Sequence, residues 1–223
     1  MKLLGHRGTP RTHTENTLEG FQNALVSGLD GIELDTQPTR DGDMVLFHDE
    51  HLPDGRLIAA LKLEEIQQDY PYVPLLSDLL DWAKEHPDFF LNIELKNDSN
   101  VSDGREKHLI EVLKRYGMHE QIVISSFNPI SLVRLYALDS SYRLGFLYDG
   151  ELGLEWLAKV GLHLPLYSLH PHHSRVMEEL IADAHRKNKK IFTWTVNDPA
   201  LVQKFKVWGV DGVIGDVPEV LLG

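Results

Sequence analysis

Short runs of aliphatic and β-branched residues alternate along the whole chain with longer segments whose apolar positions recur every three or four residues. The first kind reads as buried strands and the second as amphipathic helices; their alternation predicts α/β architecture with parallel strands. Strands are placed at 2–5, 31–35, 89–94, 121–125, 142–146, 165–169, 190–196 and 212–215. An extended piece at 44–48 follows the turn-forming Arg40-Asp41-Gly42-Asp43 and reads as a hairpin arm beside the second strand. Helices are predicted at 16–27, 76–85, 105–116, 129–137, 152–159, 174–187 and 199–207. The first stops at Gly28, and the second begins near Ser77 as an N-cap and stops before Pro87. Two others open on Pro129 and Pro199, where the missing N–H costs nothing. Eight strands in this alternation point to a single closed (β/α)8 barrel over an open doubly wound sheet. The least regular stretches, 51–60 and 97–103, follow strand ends, where barrel enzymes carry their working loops.

Composition narrows the partners. A length of 223 residues suits one sizeable core. With 34 acidic and 22 basic side chains the formal charge is −12, which repels nucleic acid and anionic membrane at long range, so neither is an expected partner. The same charge repels an anionic substrate, so a phosphate-handling site here would need local cations or a bound metal. The absence of cysteine excludes disulfides, thiolate nucleophiles and cysteine-ligated zinc. The apolar run after Met1 is too short for a signal peptide, and no stretch approaches a membrane span, so a soluble, cytoplasmic protein is expected.

Candidate chemistry gathers at strand ends. The first strand runs into His6-Arg7, an imidazole that can shuttle protons beside a guanidinium that can grip a phosphate oxygen. The second ends Glu33-Leu34-Asp35, whose carboxylates share a face because residues two apart on a strand point the same way. Turned into a barrel, two such anions need a proton or a cation between them, and oxygen ligands without cysteine suit Mg²⁺ or Ca²⁺. Turned outward, they would be an ordinary solvated pair. Asn92, Glu94 and Lys96 share the next face, offering a third carboxylate ligand and a cation for a phosphate oxygen, or else a wet strand with a surface ion pair. The extended run before His48-Asp49 delivers a second histidine beside an acid able to fix its tautomer.

The stretches His6-Arg7-Gly8, Glu15-Asn16-Thr17, Glu33-Leu34-Asp35, Thr39-Arg40-Asp41-Gly42 and His48-Asp49 closely resemble the opening of glycerophosphodiester phosphodiesterases. The resemblance continues through Asn92-Ile93-Glu94-Leu95-Lys96, Trp194-Thr195-Val196-Asn197 and the run from Gly209 to Pro218, so it spans nearly the whole chain. It implies a metal-dependent hydrolase of glycerophosphodiesters on one barrel domain over 1–223, with the site at the C-terminal strand ends. It further implies His6 and His48 as the acid–base pair and Glu33, Asp35 and Glu94 as ligands of one divalent cation, Mg²⁺ or Ca²⁺. Arg7 and Lys96 would contact phosphate, Trp194 would wall the pocket, and Asn16 and Asp49 would support.

The chain departs from that pattern after His48-Asp49, where the usual Arg-Thr-Thr-rich loop is missing and no large inserted subdomain fits. The last strand ends Ile214-Gly215-Asp216 where a Thr-Asp pair is more usual, and Asn188-Lys189-Lys190 stands where glycine is common; neither change is expected to touch the catalytic set. In Leu169-His170-Pro171-His172-His173, a loop touching substrate through His170 is expected. Two other readings compete: a lysophospholipase D with an apolar lip from Leu52, Leu57 and Ile58, and an inactive barrel that binds phosphodiesters or metal.

Overall fold

The computed structural model describes residues 1–150 and 164–223, so the helix expected at 152–159 lies outside the described residues. Nine strands form among the described residues: β1 Lys2–His6, β2 Gly31–Pro38, β3 Met44–Leu46, β4 Phe90–Leu95, β5 Ile122–Ser126, β6 Arg143–Tyr148, β7 Ser168–Pro171, β8 Lys190–Thr193 and β9 Gly212–Gly215. The first strand pairs with both β2 and β9, so the parallel series β1-β2-β4-β5-β6-β7-β8-β9 returns to its start and closes as an eight-stranded barrel. The arm β3 runs antiparallel on β2, as its turn residues require. Helices connect the strands and pack outside, the expected (β/α)8 plan.

Two apolar layers hold the barrel. Outward-facing Ile32, Leu34, Leu91, Ile93, Ile122, Ile124, Leu169, Ile191 and Val213 join helix residues such as Phe21, Leu79, Leu109, Leu135 and Phe205 in the large core. Inward-facing Leu4, Phe90, Val123, Phe192 and Ile214 fill the interior, with the Phe90 and Phe192 rings stacked 5.7 Å apart. Both faces of a strand in such a barrel are buried, which is why β2 and β4 are buried at every position despite carrying Glu33, Asp35, Asn92 and Glu94.

Several boundaries differ from expectation, each for a local reason. Strand β7 occupies Ser168–Pro171, not 165–169, because Ser168 and His170 face the barrel interior and hide the strand from a hydropathy reading. Strand β8 stops at Thr193, not 196. The first helix spans Leu18–Val26 and is capped by the Thr17 hydroxyl, leaving Asn16 in a left-handed conformation (φ 55°) outside it. The helix Leu76–Ala83 is capped at Leu75, whose N–H donates to Asp78, and not at Ser77. The segment expected as one helix over 174–187 divides into a 3-10 turn at His173–Arg175 and a helix at Glu178–Arg186. Residues 51–60 are more ordered than their composition suggests: a 3-10 turn forms at Ile58–Ala60, and Leu52 and Ile58 pack with Val45, Ile66 and Val73. Those two side chains are therefore core and build no apolar lip.

Candidate active site

Strand register brings the three carboxylates together. Asp35 on β2 lies opposite Glu94 on β4, and Glu33 stands one inward position below Asp35. All three are buried, and one oxygen from each lies within 4.8 Å of the others. Burial, then repulsion from Asp35 and Glu94, pushes the Glu33 carboxyl well above the usual carboxylate range. Burial and the Asp35 charge likewise push Glu94 up to about 7, against the pull of Lys96. Burial would also raise Asp35, but Lys96, Arg7, His48 and a hydrogen bond from Asn16 outweigh it and hold Asp35 below its usual value. Three buried carboxyls, one held below and two pushed above the usual range and all oxygen donors, form a set that a hard divalent cation fits.

The neighbours of this cluster are the cations expected from sequence. Lys96 Nζ lies 2.8 Å from Glu94 Oε1 and 3.0 Å from Asp35 Oδ1. Arg7 turns through a left-handed backbone (φ 53°), which lets its N–H donate to Glu33 Oε2 at 3.1 Å while its guanidinium reaches Glu15 and Asp35. Asn16 bridges the other side: its Nδ2 donates to Asp35 Oδ2 at 3.0 Å, and its Oδ1 accepts from the Asp35 N–H at 3.1 Å. The left-handed φ of Asn16, which ended the helix early, is what turns that amide inward.

Each histidine is held by an acid. His6 Nδ1 meets Asp216 Oδ1 at 2.7 Å, with its Nε2 4.0 Å from Glu33 Oε2. His48 Nδ1 meets Asp49 Oδ1 at 2.6 Å. A carboxylate only accepts, so each Nδ1 carries the proton and each Nε2 is left to exchange one. The two dyads differ in shelter. Asp49 is exposed, whereas Asp216 is half-buried and gripped by Asn197, which donates to its Oδ2 at 2.6 Å. Burial raises Asp216, but the bonds from His6 and Asn197 outweigh that and keep its carboxyl below the usual range.

A cavity of about 150 Å³ unites the set, lined by His6, Arg7, Glu33, His48, Glu94 and Lys96 on its polar side and Phe127, Leu147, Trp194 and Ile214 on its apolar side. Trp194 is fixed by a hydrogen bond from Nε1 to the His170 carbonyl (2.9 Å) and an edge contact with Phe127 (5.4 Å). Anion-binding cations, a carboxylate cluster and two free imidazole nitrogens around one pocket can neutralise a phosphodiester and move protons to and from it.

Sequence reasoning missed several members. Asp216, which the sequence shows only as the residue after the last strand, holds His6; the available signal was an acid at that position, which a barrel places beside the first strand. Phe127 and Leu147 carry only apolar character, which does not separate a pocket wall from a core. His170, expected to touch substrate, is instead 1% exposed inside β7, where burial lowers it to about 3.

Comparisons with known proteins agree with this geometry. The sequence model of the Glycerophosphoryl diester phosphodiesterase family matches residues 6–220. A glycerophosphodiester phosphodiesterase of Caldanaerobacter subterraneus subsp. tengcongensis is 33% identical over 235 residues, covering 99% of this chain and 96% of the relative. Among solved structures, an Oleispira antarctica phosphodiesterase in complex with the product sn-glycerol-3-phosphate superposes with a TM-score of 0.88 at 27% identity, covering 100% of this chain and 95% of the other. A glycerophosphodiester phosphodiesterase of Thermotoga maritima gives 0.80 at 28% identity, covering 100% and 96%.

Proposed function

The chain belongs to the glycerophosphoryl diester phosphodiesterase family, and from that premise we propose that its pocket cleaves glycerophosphodiesters to glycerol 3-phosphate and an alcohol by paired histidine acid–base catalysis. It is a phosphodiesterase-type hydrolase acting on a small-molecule substrate. The product named for the Oleispira antarctica relative supports a glycerol 3-phosphate product here. The observation that carries the reading is the convergence of Glu33, Asp35 and Glu94 at a pocket that Glu33 and Glu94 line together with His6, His48, Arg7 and Lys96. No described helix is long and apolar enough to cross a membrane.

Glu33, Asp35 and Glu94 would hold one divalent cation, Mg²⁺ or Ca²⁺, which when bound supplies positive charge against the phosphodiester oxygens. Arg7 and Lys96 then bind the non-bridging oxygens and stabilise the charge that builds on them during displacement. His6 Nε2 takes a proton from the nucleophile, and Asp216 stabilises the imidazolium this creates. His48 Nε2 delivers a proton to the departing alkoxide, so the leaving group exits as a neutral alcohol. The nucleophile is either water or the neighbouring glycerol hydroxyl, the latter giving a cyclic phosphate that water opens. Phe127, Leu147 and Trp194 shield one side of the reacting group from bulk water.

The test is release of glycerol 3-phosphate from glycerophosphocholine and glycerophosphoethanolamine with Mg²⁺, with Ca²⁺ and with EDTA. Turnover should require a divalent ion and fall by about 10²–10⁴-fold in His6→Ala and in His48→Ala, the usual contribution of one general acid or base. Turnover that survives EDTA, or either variant at full rate, would refute the assignment.

A further inference from the structure

Below the carboxylates the interior of the barrel is divided. Leu4, Phe192 and Ile214 make one side apolar. The other carries Asn92, Ser125, Ser168 and His170, each no more than 1% exposed. Register makes these neighbours: Asn92 lies opposite Glu33, Ser125 lies between Glu94 and Gly145, and Gly145 lies opposite Ser168.

Their hydrogen bonding is incomplete. Ser168 Oγ pairs with His170 Nε2 at 2.7 Å. Both amide atoms of Asn92, the Ser125 hydroxyl and His170 Nδ1 meet no hydrogen-bonding partner among the described residues. Buried polar atoms are nearly always paired, and where protein supplies no partner an ordered water with two to four polar contacts does so. These four atoms lie on β4, β5 and β7, with Gly145 of β6 between the last two strands. Gly145 keeps the strand bare where they converge: a Cβ there would lie 2.5 Å from His170 Nε2 and 2.9 Å from Ser168 Oγ.

We infer that Asn92, Ser125 and His170 bind ordered water directly beneath Glu33 and Glu94, and that this hydrated layer orients the two carboxylates for a divalent cation. The orienting role rests on the metal reading given above; the water site itself does not. An amide and a hydroxyl can turn to serve either protonation state of a neighbouring carboxyl, which an apolar floor cannot. Groups placed behind metal ligands typically set about 10–100-fold of the affinity for the ion.

The experiment is a crystal structure of the Mg²⁺-loaded protein at a resolution that shows ordered solvent, with calorimetric Mg²⁺ titration and thermal unfolding of wild type, Asn92→Leu and the milder Ser125→Ala. Expected are water density within hydrogen-bonding reach of at least two of the three side chains, and Mg²⁺ affinity weakened by about 10–100-fold in Asn92→Leu. Its melting temperature should hold, because replacing a water-bound buried amide by an apolar side chain of similar size is nearly neutral. Ser125→Ala should shift Mg²⁺ affinity in the same direction. A dry patch with the polar atoms paired to one another would overturn the water site. Unchanged Mg²⁺ affinity, or an affinity loss matched by a fall in melting temperature, would overturn the orienting role. Wild type that shows the water but binds no Mg²⁺ would overturn both that role and the metal reading, leaving the water site standing.

Discussion

Filling the carboxylate cluster with a divalent cation should expel protons, and their number can be worked out from the site. With Glu94 at about 7, close to nine-tenths of that carboxyl is protonated at pH 6. Glu33 is pushed in the same direction by its burial and by the neighbouring carboxylates, while Asp35 is held below its ordinary value. Binding of Mg²⁺ at pH 6 should therefore release close to one proton from Glu94, with any from Glu33 added to it, and fewer at pH 8. Each proton displaced makes the apparent affinity rise about tenfold per pH unit. The assay is calorimetric titration in buffers of different ionisation enthalpy, which counts the protons directly. Glu94→Gln should release one fewer. Mg²⁺ binding at pH 6 without proton release would refute the reasoning. A stability measurement gives the same answer by another route. Glu94 is raised in the folded state, so in EDTA its contribution is present below its ordinary 4.5 and is lost as pH climbs through about 7. At about 1.4 kcal/mol per pH unit this amounts to roughly 3 kcal/mol. His170 runs the other way: its value is lowered to about 3, so its contribution is complete only above the ordinary 6.5. Comparing EDTA and Mg²⁺ at each pH cancels His170 and isolates the cluster.

Other expectations concern single side chains. Asp216→Asn should reduce kcat towards the level of His6→Ala with Mg²⁺ affinity intact, because it removes the acceptor that fixes the His6 tautomer; steady-state kinetics and calorimetry check this together. Asp49→Asn should cost less, since the His48–Asp49 pair is solvated and water can replace the lost acceptor. Gly145→Ala should destabilise the fold by about 1–3 kcal/mol through overpacking against His170 and Ser168, read from urea unfolding.

How much of this could be seen in the sequence depended on whether a residue's environment is local. Short apolar runs marked the eight strands, because a buried parallel strand is apolar on both faces wherever chemistry does not interrupt it. It misplaced β7, where Ser168 and His170 interrupt the pattern from the inside. The pairing of Glu33 with Asp35 followed from strand period alone. Their union with Glu94 needed the register between β2 and β4, which no single segment encodes. Asn16 could be named as a support, but its left-handed turn and its grip on Asp35 depend on Arg7 and β2 being already in place. Asp216 was the hardest, since its value comes from a neighbour at the other end of the chain.

That last contact joins residues 210 positions apart, between the first strand and the turn after the last. His6 and Asp216 therefore cannot meet until β9 has docked on β1 and the ring is shut. Closing so long a loop is among the least local events in folding this chain. Recovery of turnover on refolding should thus lag behind recovery of secondary structure, and catalysis becomes a clock for ring closure. A chain still emerging from synthesis, with its final strand missing, would carry nearly every residue of the pocket and yet be unable to attack its substrate efficiently.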